Sequence, residues 1–230
     1  MIVIGKDDDF NDTMELLARK HERSIVFVHF LDYYINKNTR STTDFNSDNY
    51  SPEELQLFEQ AYNQFRILMN ELLSEKGWYD YVGEYYEAFV LAGSKASDKG
   101  QFYTPRSISE LLSRITTEGG VVYEEGTAYD PACGSARNLL DFQNKHKCNC
   151  LGEDLDESAC KMAVVNFHAN QVHRGQVNWI DALTREYMGK SWVVFPDKII
   201  TTDLDEIRMI QSLVGFTELC AFDLNKTVEE

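Results

Sequence analysis

Apolar positions recur at helical spacing through roughly the first ninety residues, then give way to short apolar runs separated by helical stretches. From Asn11 to about Asn36, the residues Leu16, Leu17, His21, Ile25, Val28, His29 and Leu31 fall partly on one face and predict a helix. The run Ile25–Phe30 (IVFVHF) pulls towards a strand instead, because β-branched and aromatic residues crowd it. The tract Asn36–Tyr50 is polar and predicts a loop. Ser51-Pro52-Glu53-Glu54 is a helix start, with a capping hydroxyl, proline in the first turn and acids beside it. The stripe Leu55, Phe58, Tyr62, Phe65, Leu68, Met69 and Leu72 carries that helix to Gly77, and another covers Tyr79–Leu91. Ala92–Lys99 reads as a flexible hinge. Beyond it come a helix over Ser107–Thr117, strands at Thr127–Tyr129 and around Cys150–Leu151, and a helix over Glu157–Gln171. Strands at Gln176–Ile180 and Val193–Ile200 and a helical turn at Ile207–Leu213 follow. Such alternation predicts a parallel sheet with helices on both faces. Two regions result: 1–98, mainly helical with a polar loop near 36–50, and 99–230, of α/β type.

The most informative string is Asp130–Phe142, DPACGSARNLLDF. A strand ends in Asp-Pro, a Cys-Gly-Ser turn follows, and a helix begins. Gly134 can take positive φ and lets backbone approach a ligand, while the free N–H groups of the helix start face it. A carboxylate just before the turn can hold an ammonium group. An acidic residue about 20 positions on is the usual ribose clamp of nucleotide-binding βαβ units. Asp154, in the segment CLGEDLD, stands there. The arrangement favours a nucleoside-bearing cofactor over a plain structural turn.

Three more segments sharpen this: Gly100–Pro105 (GQFYTP), Gly152–Val172 (GEDLDESACKMAVVNFHANQV) and Asn178–Leu183 (NWIDAL). In this order and spacing the chain resembles the N6-adenine DNA methyltransferases, and especially the modification subunits of type I restriction systems, from about Trp78 to Glu186. Tyr81–Glu87 (YVGEYYE) resembles the helix before the cofactor domain there. The resemblance implies a Rossmann-like, S-adenosylmethionine-dependent methyltransferase fold preceded by a helical region, with 99–230 as the cofactor-binding domain. It implies that Phe102, Tyr103, Thr104 and Pro105 close over S-adenosylmethionine. Asp130, Ala132, Gly134 and Ser135 would cradle its methionine end, and Asp154 would accept from the ribose hydroxyls with Leu155 against the adenine. Asp181 would accept from the adenine amine, with Ala182 beside it. Carboxylates are natural acceptors for those donors.

Departures from the family decide what can be claimed about turnover. Ala136 stands where the family usually has a second glycine, and Arg137 and Asn138 follow it. Adenine methylases also carry an Asn/Asp-Pro-Pro-aromatic loop after the fourth strand, which holds the flipped base. The matching strand reads as Asp197–Thr201, and Thr202, Asp203, Leu204 and Asp205 stand in place of the loop. Neither Asn-Pro-Pro nor Asp-Pro-Pro occurs in the chain, whose four prolines are isolated. The sheet also runs out after four or five strands, where a full methyltransferase sheet needs about seven. The expected function is therefore a cofactor-binding, methyltransferase-like protein, degenerate as an isolated chain. The alternative is an active methylase completed by a partner subunit or an unorthodox loop, and behind it a small-molecule methyltransferase.

Lys plus Arg number 22 against 38 Asp plus Glu, a net charge of −16. Phosphate neutralisation supplies most non-specific DNA affinity, so DNA binding is expected only weakly or through a partner. Restriction-system subunits or self-association are the partners to expect. No stretch approaches the ~20 apolar residues of a membrane span. Five cysteines without an export signal suggest reduced thiols in the cytoplasm. Cys148 and Cys150, one residue apart, lack zinc-ligand spacing and read as buried strand thiols, so no metal is expected.

Overall fold

The computed structural model describes residues 9–39, 44–91, 104–117 and 126–203. The helices are α1 (Asp9–Ala18), α2 (Arg23–Asn38), α3 (Pro52–Lys76), α4 (Tyr81–Tyr85), α5 (Arg106–Thr117), α6 (Arg137–His146) and α7 (Glu157–Ala169). A π-helical turn, Tyr86–Leu91, continues α4. The strands are β1 (Thr127–Asp130), β2 (Asn149–Asp154), β3 (Gly175–Asp181), β4 (Glu186–Phe195) and β5 (Lys198–Asp203).

Local chemistry sets the boundaries of α3. The Ser51 hydroxyl accepts from Glu54 N, and the Glu54 carboxylate accepts from Ser51 N at 2.8 Å, a complete capping box. Gly77, at φ 77°, closes the other end. The one long helix expected from Asn11 is instead two. Backbone bonds from Arg19 N to Leu16 O and Lys20 N to Leu17 O tighten the end of α1, and α2 starts afresh at Arg23. The break lets both apolar faces reach one aromatic core, in which the Phe10 ring lies 4.9 to 5.6 Å from those of Phe30, Phe65, Tyr81 and Tyr85. IVFVHF is helical because Val26, Phe27 and Phe30 are buried in that core, and packing outweighs a weak strand propensity.

The five strands lie in chain order, β1-β2-β3-β4-β5. The first three are parallel, because α6 and α7 carry the chain back between them. The last two are antiparallel, and this corrects the expectation of a parallel sheet. The stretch Val193–Ile200, expected as one strand, turns at Pro196-Asp197 and belongs to two. Expected helices on both faces are also not found among the described elements. A side chain at Gly152 would strike Cys133 and touch Leu139 of α6, and one at Gly175 would strike Phe167 of α7. In the register Gly152 and Gly175 share a face, so both crossover helices pack on that side.

α7 is the central element. All residues from Ala159 to Ala169 are buried, between the sheet and the helical region. Lys161 of α7 pairs with Asp32 of α2 at 2.8 Å, and His168 Nδ1 is hydrogen-bonded with the Tyr34 hydroxyl at 2.8 Å. Burial, with the nearby Arg66 charge, holds the His168 imidazole at a pKa of about 4, below the ordinary 6.5. Between those values the unfolded chain binds more protons, so stability is full above pH 6.5 and declines as pH falls towards 4. The loss from this residue is up to about 3 kcal/mol. Urea unfolding at pH 7.5 and pH 5 is expected to show a smaller loss in His168→Asn than in the wild type. Equal losses would remove His168 as the cause. No helix among the described residues is long and apolar enough to cross a membrane.

Candidate functional site

Three parallel strands end in Asp130, Asp154 and Asp181, which share one face of the carboxyl edge and are staggered by two residues from strand to strand, because Asp130 pairs with Gly152 and Asp154 with Trp179. The turn after β1 is folded over this edge by backbone bonds. Cys133 N donates to Glu153 O at 2.9 Å, and Ala136 N to Cys133 O at 2.7 Å. Gly134, at φ 54°, gives its N–H to Asp154 Oδ2 at 2.9 Å. Asp154 Oδ1 accepts from Asp156 N at 2.9 Å. Burial pushes the Asp154 carboxyl up in pKa, and these backbone donors only partly offset it. Ala136 takes a left-handed conformation, φ 67° and ψ 23°, at the entrance to α6. Without glycine this conformation costs about 1–2 kcal/mol.

Expected site residues are thus partly brought together. Asp130 accepts from Ala132 N at 3.1 Å and from the Asn138 amide at 3.4 Å. Leu155 is 60% exposed just past Asp154, a free apolar surface beside the edge, and its carbonyl accepts from Trp179 Nε1 at 2.9 Å. Asp181 Oδ1 accepts from Leu183 N and Thr184 N at 2.9 and 3.1 Å. Those backbone bonds lower its pKa. Asp181 thereby shapes the turn that holds Ala182 and leads into β4. Ser135 is buried, with its hydroxyl turned away from the edge and donated to Asp80 at 2.6 Å. Thr104 offers its carbonyl to Arg137 Nη1 at 2.8 Å, and Pro105 starts α5 by accepting from Ile108 N. Phe102 and Tyr103 lie outside the described residues, as do the hinge 92–99 and the segment 207–213.

Thr202 and Asp203 end β5 on the same carboxyl edge of the sheet, because β5 runs in the direction of β1–β3, but they lie two strands from Asp181 and four from Asp130. β5 lies four strands from β1, about 19 Å at ordinary spacing. Thr202 pairs with Ser191 and Asp203 with Lys190. A doubly wound sheet places its fourth strand against the first. β5 is at the opposite side, so DKIIT does not occupy that position. Leu204 and Asp205 lie outside the described residues.

Two clusters escaped the sequence reading. Asp80 is buried below the turn and accepts four bonds: from Arg137 Nε, Ser135 Oγ and the Asn166 amide at 2.6 Å each, and from Gly83 N at 2.9 Å. It caps α4, joining the helical region to the turn. The one local signal was a capping Asp before YVGEYYE. On the other sheet face, buried Glu153 accepts from Arg185 at 2.6 and 3.0 Å and from the Tyr129 hydroxyl at 2.6 Å. Burial raises its pKa, but Arg185 and Tyr129 outweigh that and leave it lowered.

β1 pairs with β2 alone among the described strands, and Tyr129 is half exposed. Beside this edge, α5 is packed inside out. Ser109 and Ser113 are buried against Asn138 and Asp141 of α6. Ile108, Leu111, Leu112 and Ile115, spaced as one helical stripe, are 44% to 59% exposed. Between α5, β1 and α6 lies a cavity of about 360 Å³ lined by Leu112, Ala128, Tyr129, Asp130, Leu139 and Phe142.

The family model of N-6 DNA methylases matches residues 78–202. The methylase subunit of the type I restriction enzyme MpnII from Mycoplasma pneumoniae is 29% identical over 129 residues, covering 52% of this chain and 23% of the relative. The MjaIX methylase subunit from Methanocaldococcus jannaschii is 29% identical over 97 residues, covering 38% of this chain and 16% of the relative. The solved methyltransferase subunit of a type I restriction-modification system from Streptococcus thermophilus is 20% identical. That match covers 73% of this chain and 42% of that one, with a TM-score of 0.32. The chain thus spans less than a quarter of the length of the curated relatives it matches.

Proposed function

The chain belongs to the N-6 DNA methylase family, and from that premise we propose that it binds S-adenosylmethionine at the carboxyl edge of β1–β3. The observation that carries this reading is the bond from Gly134 N to Asp154 Oδ2, which draws the glycine turn and the acid 20 residues beyond it into one wall. The donor chemistry of the cofactor fits the groups present. Asp154 accepts from the ribose hydroxyls, Leu155 offers apolar surface to the adenine, Asp181 accepts from its amine, and Asp130 meets the ammonium of the methionine end. Thr104 and Pro105 border the same site, and the resemblance extends the closing segment to Phe102 and Tyr103. When bound, the cofactor supplies an electrophilic methyl group. The strand arrangement β1–β3 with α6 and α7 is read as half of a Rossmann-like methyltransferase sheet.

As an isolated chain the protein is proposed to be degenerate in catalysis. Methyl transfer to a base amine needs that amine held in line with the methyl group, and the Asn/Asp-Pro-Pro-aromatic loop that does so is absent from the sequence. Its net charge of −16 also disfavours unaided DNA binding. A second reading is favoured by the inside-out α5 and the one-sided β1: a separate polypeptide supplies the strands beside β1, carries the missing loop and covers the exposed stripe. Burying four large apolar side chains is worth several kcal/mol, of the order of 1.5–3 each when complete.

Calorimetric titration of the chain with S-adenosylmethionine, alongside methyl transfer to DNA, tests both readings. Saturable one-to-one binding without transfer is the expected result. Absence of binding at millimolar ligand overturns the cofactor reading, and transfer by the isolated chain overturns degeneracy. Transfer only with a co-expressed second polypeptide is what the second reading requires.

A further inference from the structure

Arg137 is the first residue of α6 and only 7% exposed. Its guanidinium has five donors in a fixed fork. Nε donates to Asp80, and Nη1 donates to Thr104 O with Glu87 at 3.7 Å, but buried Nη2 has no partner. An orphaned buried donor is costly, so a ligand that satisfies it gains more than an exposed contact would give. The position strengthens the case. Arg137 follows the left-handed Ala136 at the end of the glycine turn, at a helix N-terminus whose free N–H groups favour an anion. It also grips the carbonyl of Thr104, beside the segment expected to close over the ligand.

We infer that Arg137 holds the α-carboxylate of the ligand's methionine end through its unpartnered Nη2, an assignment that rests on the S-adenosylmethionine reading. The ligand chemistry demanded here is an amino-acid carboxylate, in a chain that is otherwise strongly acidic.

The test compares S-adenosylmethionine with its decarboxylated analogue by calorimetry, on wild type and on Arg137→Lys, which keeps the charge and loses the fork. Wild type is expected to bind the decarboxylated analogue roughly 10- to 100-fold more weakly, the worth of one charge-assisted hydrogen bond. Arg137→Lys is expected to compress that ratio below about 5-fold. The sign is itself diagnostic. Without a carboxylate anchor, a protein of charge −16 prefers the more cationic analogue. Equal binding by wild type, or a preference for the analogue, overturns the role of Arg137 and leaves the cofactor reading standing. Binding of neither ligand overturns the cofactor reading itself. Full discrimination retained in a folded Arg137→Lys places the anchor elsewhere, while the wild-type comparison stands whether or not that variant folds.

Discussion

Asp80→Ala is expected to destabilise the protein by about 3–5 kcal/mol, the cost of removing one partner from a buried ion pair. The substitution leaves the Arg137 guanidinium buried without its closest carboxylate, and it orphans the Ser135 hydroxyl and Gly83 N. Asn166 keeps a bond to Ser135 O at 2.7 Å, which moderates the damage but does not replace a counter-charge. Total stability of a domain is about 5–15 kcal/mol, so this single change consumes a large share of it. In a chain of this size the loss corresponds to roughly a 10 °C fall in Tm. Thermal and urea unfolding followed by circular dichroism measure it directly. Asp80→Asn, which keeps an acceptor and the shape but not the charge, is expected to fall between the two. A Tm for Asp80→Ala within about 2 °C of wild type would mean that the helical region and the glycine turn are held together by apolar packing alone.

The second large effect is on ligand affinity. Asp154→Asn is expected to weaken S-adenosylmethionine binding on the order of 100-fold, since hydrogen bonds to a charged acceptor contribute about 1.5–3 kcal/mol each. The amide oxygen still accepts from Gly134 N, but the amide NH2 then faces Asp156 N, so one backbone donor loses its acceptor at a cost of about 1–3 kcal/mol. Asp154→Ala is the poorer probe. It strands both Gly134 N and Asp156 N, each bonded to the carboxylate at 2.9 Å, and mixes a stability loss of about 1–3 kcal/mol per orphaned group into the binding result. Calorimetry on a variant shown to be folded separates the two. Asparagine at 154 with unchanged affinity would remove the ribose role and leave Asp154 as a brace for the turn.

The range of each interaction decides what was legible beforehand. The cap of α3 joins Ser51 and Glu54, three residues apart, so residue type alone reveals that helix start. The glycine turn and its acid are read from a spacing that the βαβ unit imposes, and β1, β2 and β3 fall where their apolar runs predict. The role of Asp80 at the turn was hidden because three of its four partners lie 55, 57 and 86 residues away, and only the cap bond from Gly83 N is local. IVFVHF was ambiguous because strand propensity is weak next to burial in an aromatic core. The run Val193–Ile200 hid a reversal at Pro196, since a two-residue turn barely interrupts an apolar pattern.

The sequence by itself determined the family, the three acids at strand ends and the lack of an Asn/Asp-Pro-Pro string, for these depend on residue identity and local order. Only the tertiary structure decided that β4 and β5 turn back beyond β3. It also decided that α5 carries its serines inward and its apolar stripe outward, and that Arg137 is buried with a donor to spare. The physical reason is common to all three. An amphipathic pattern states which residues share a face, but which way that face turns depends on packing partners far along the chain.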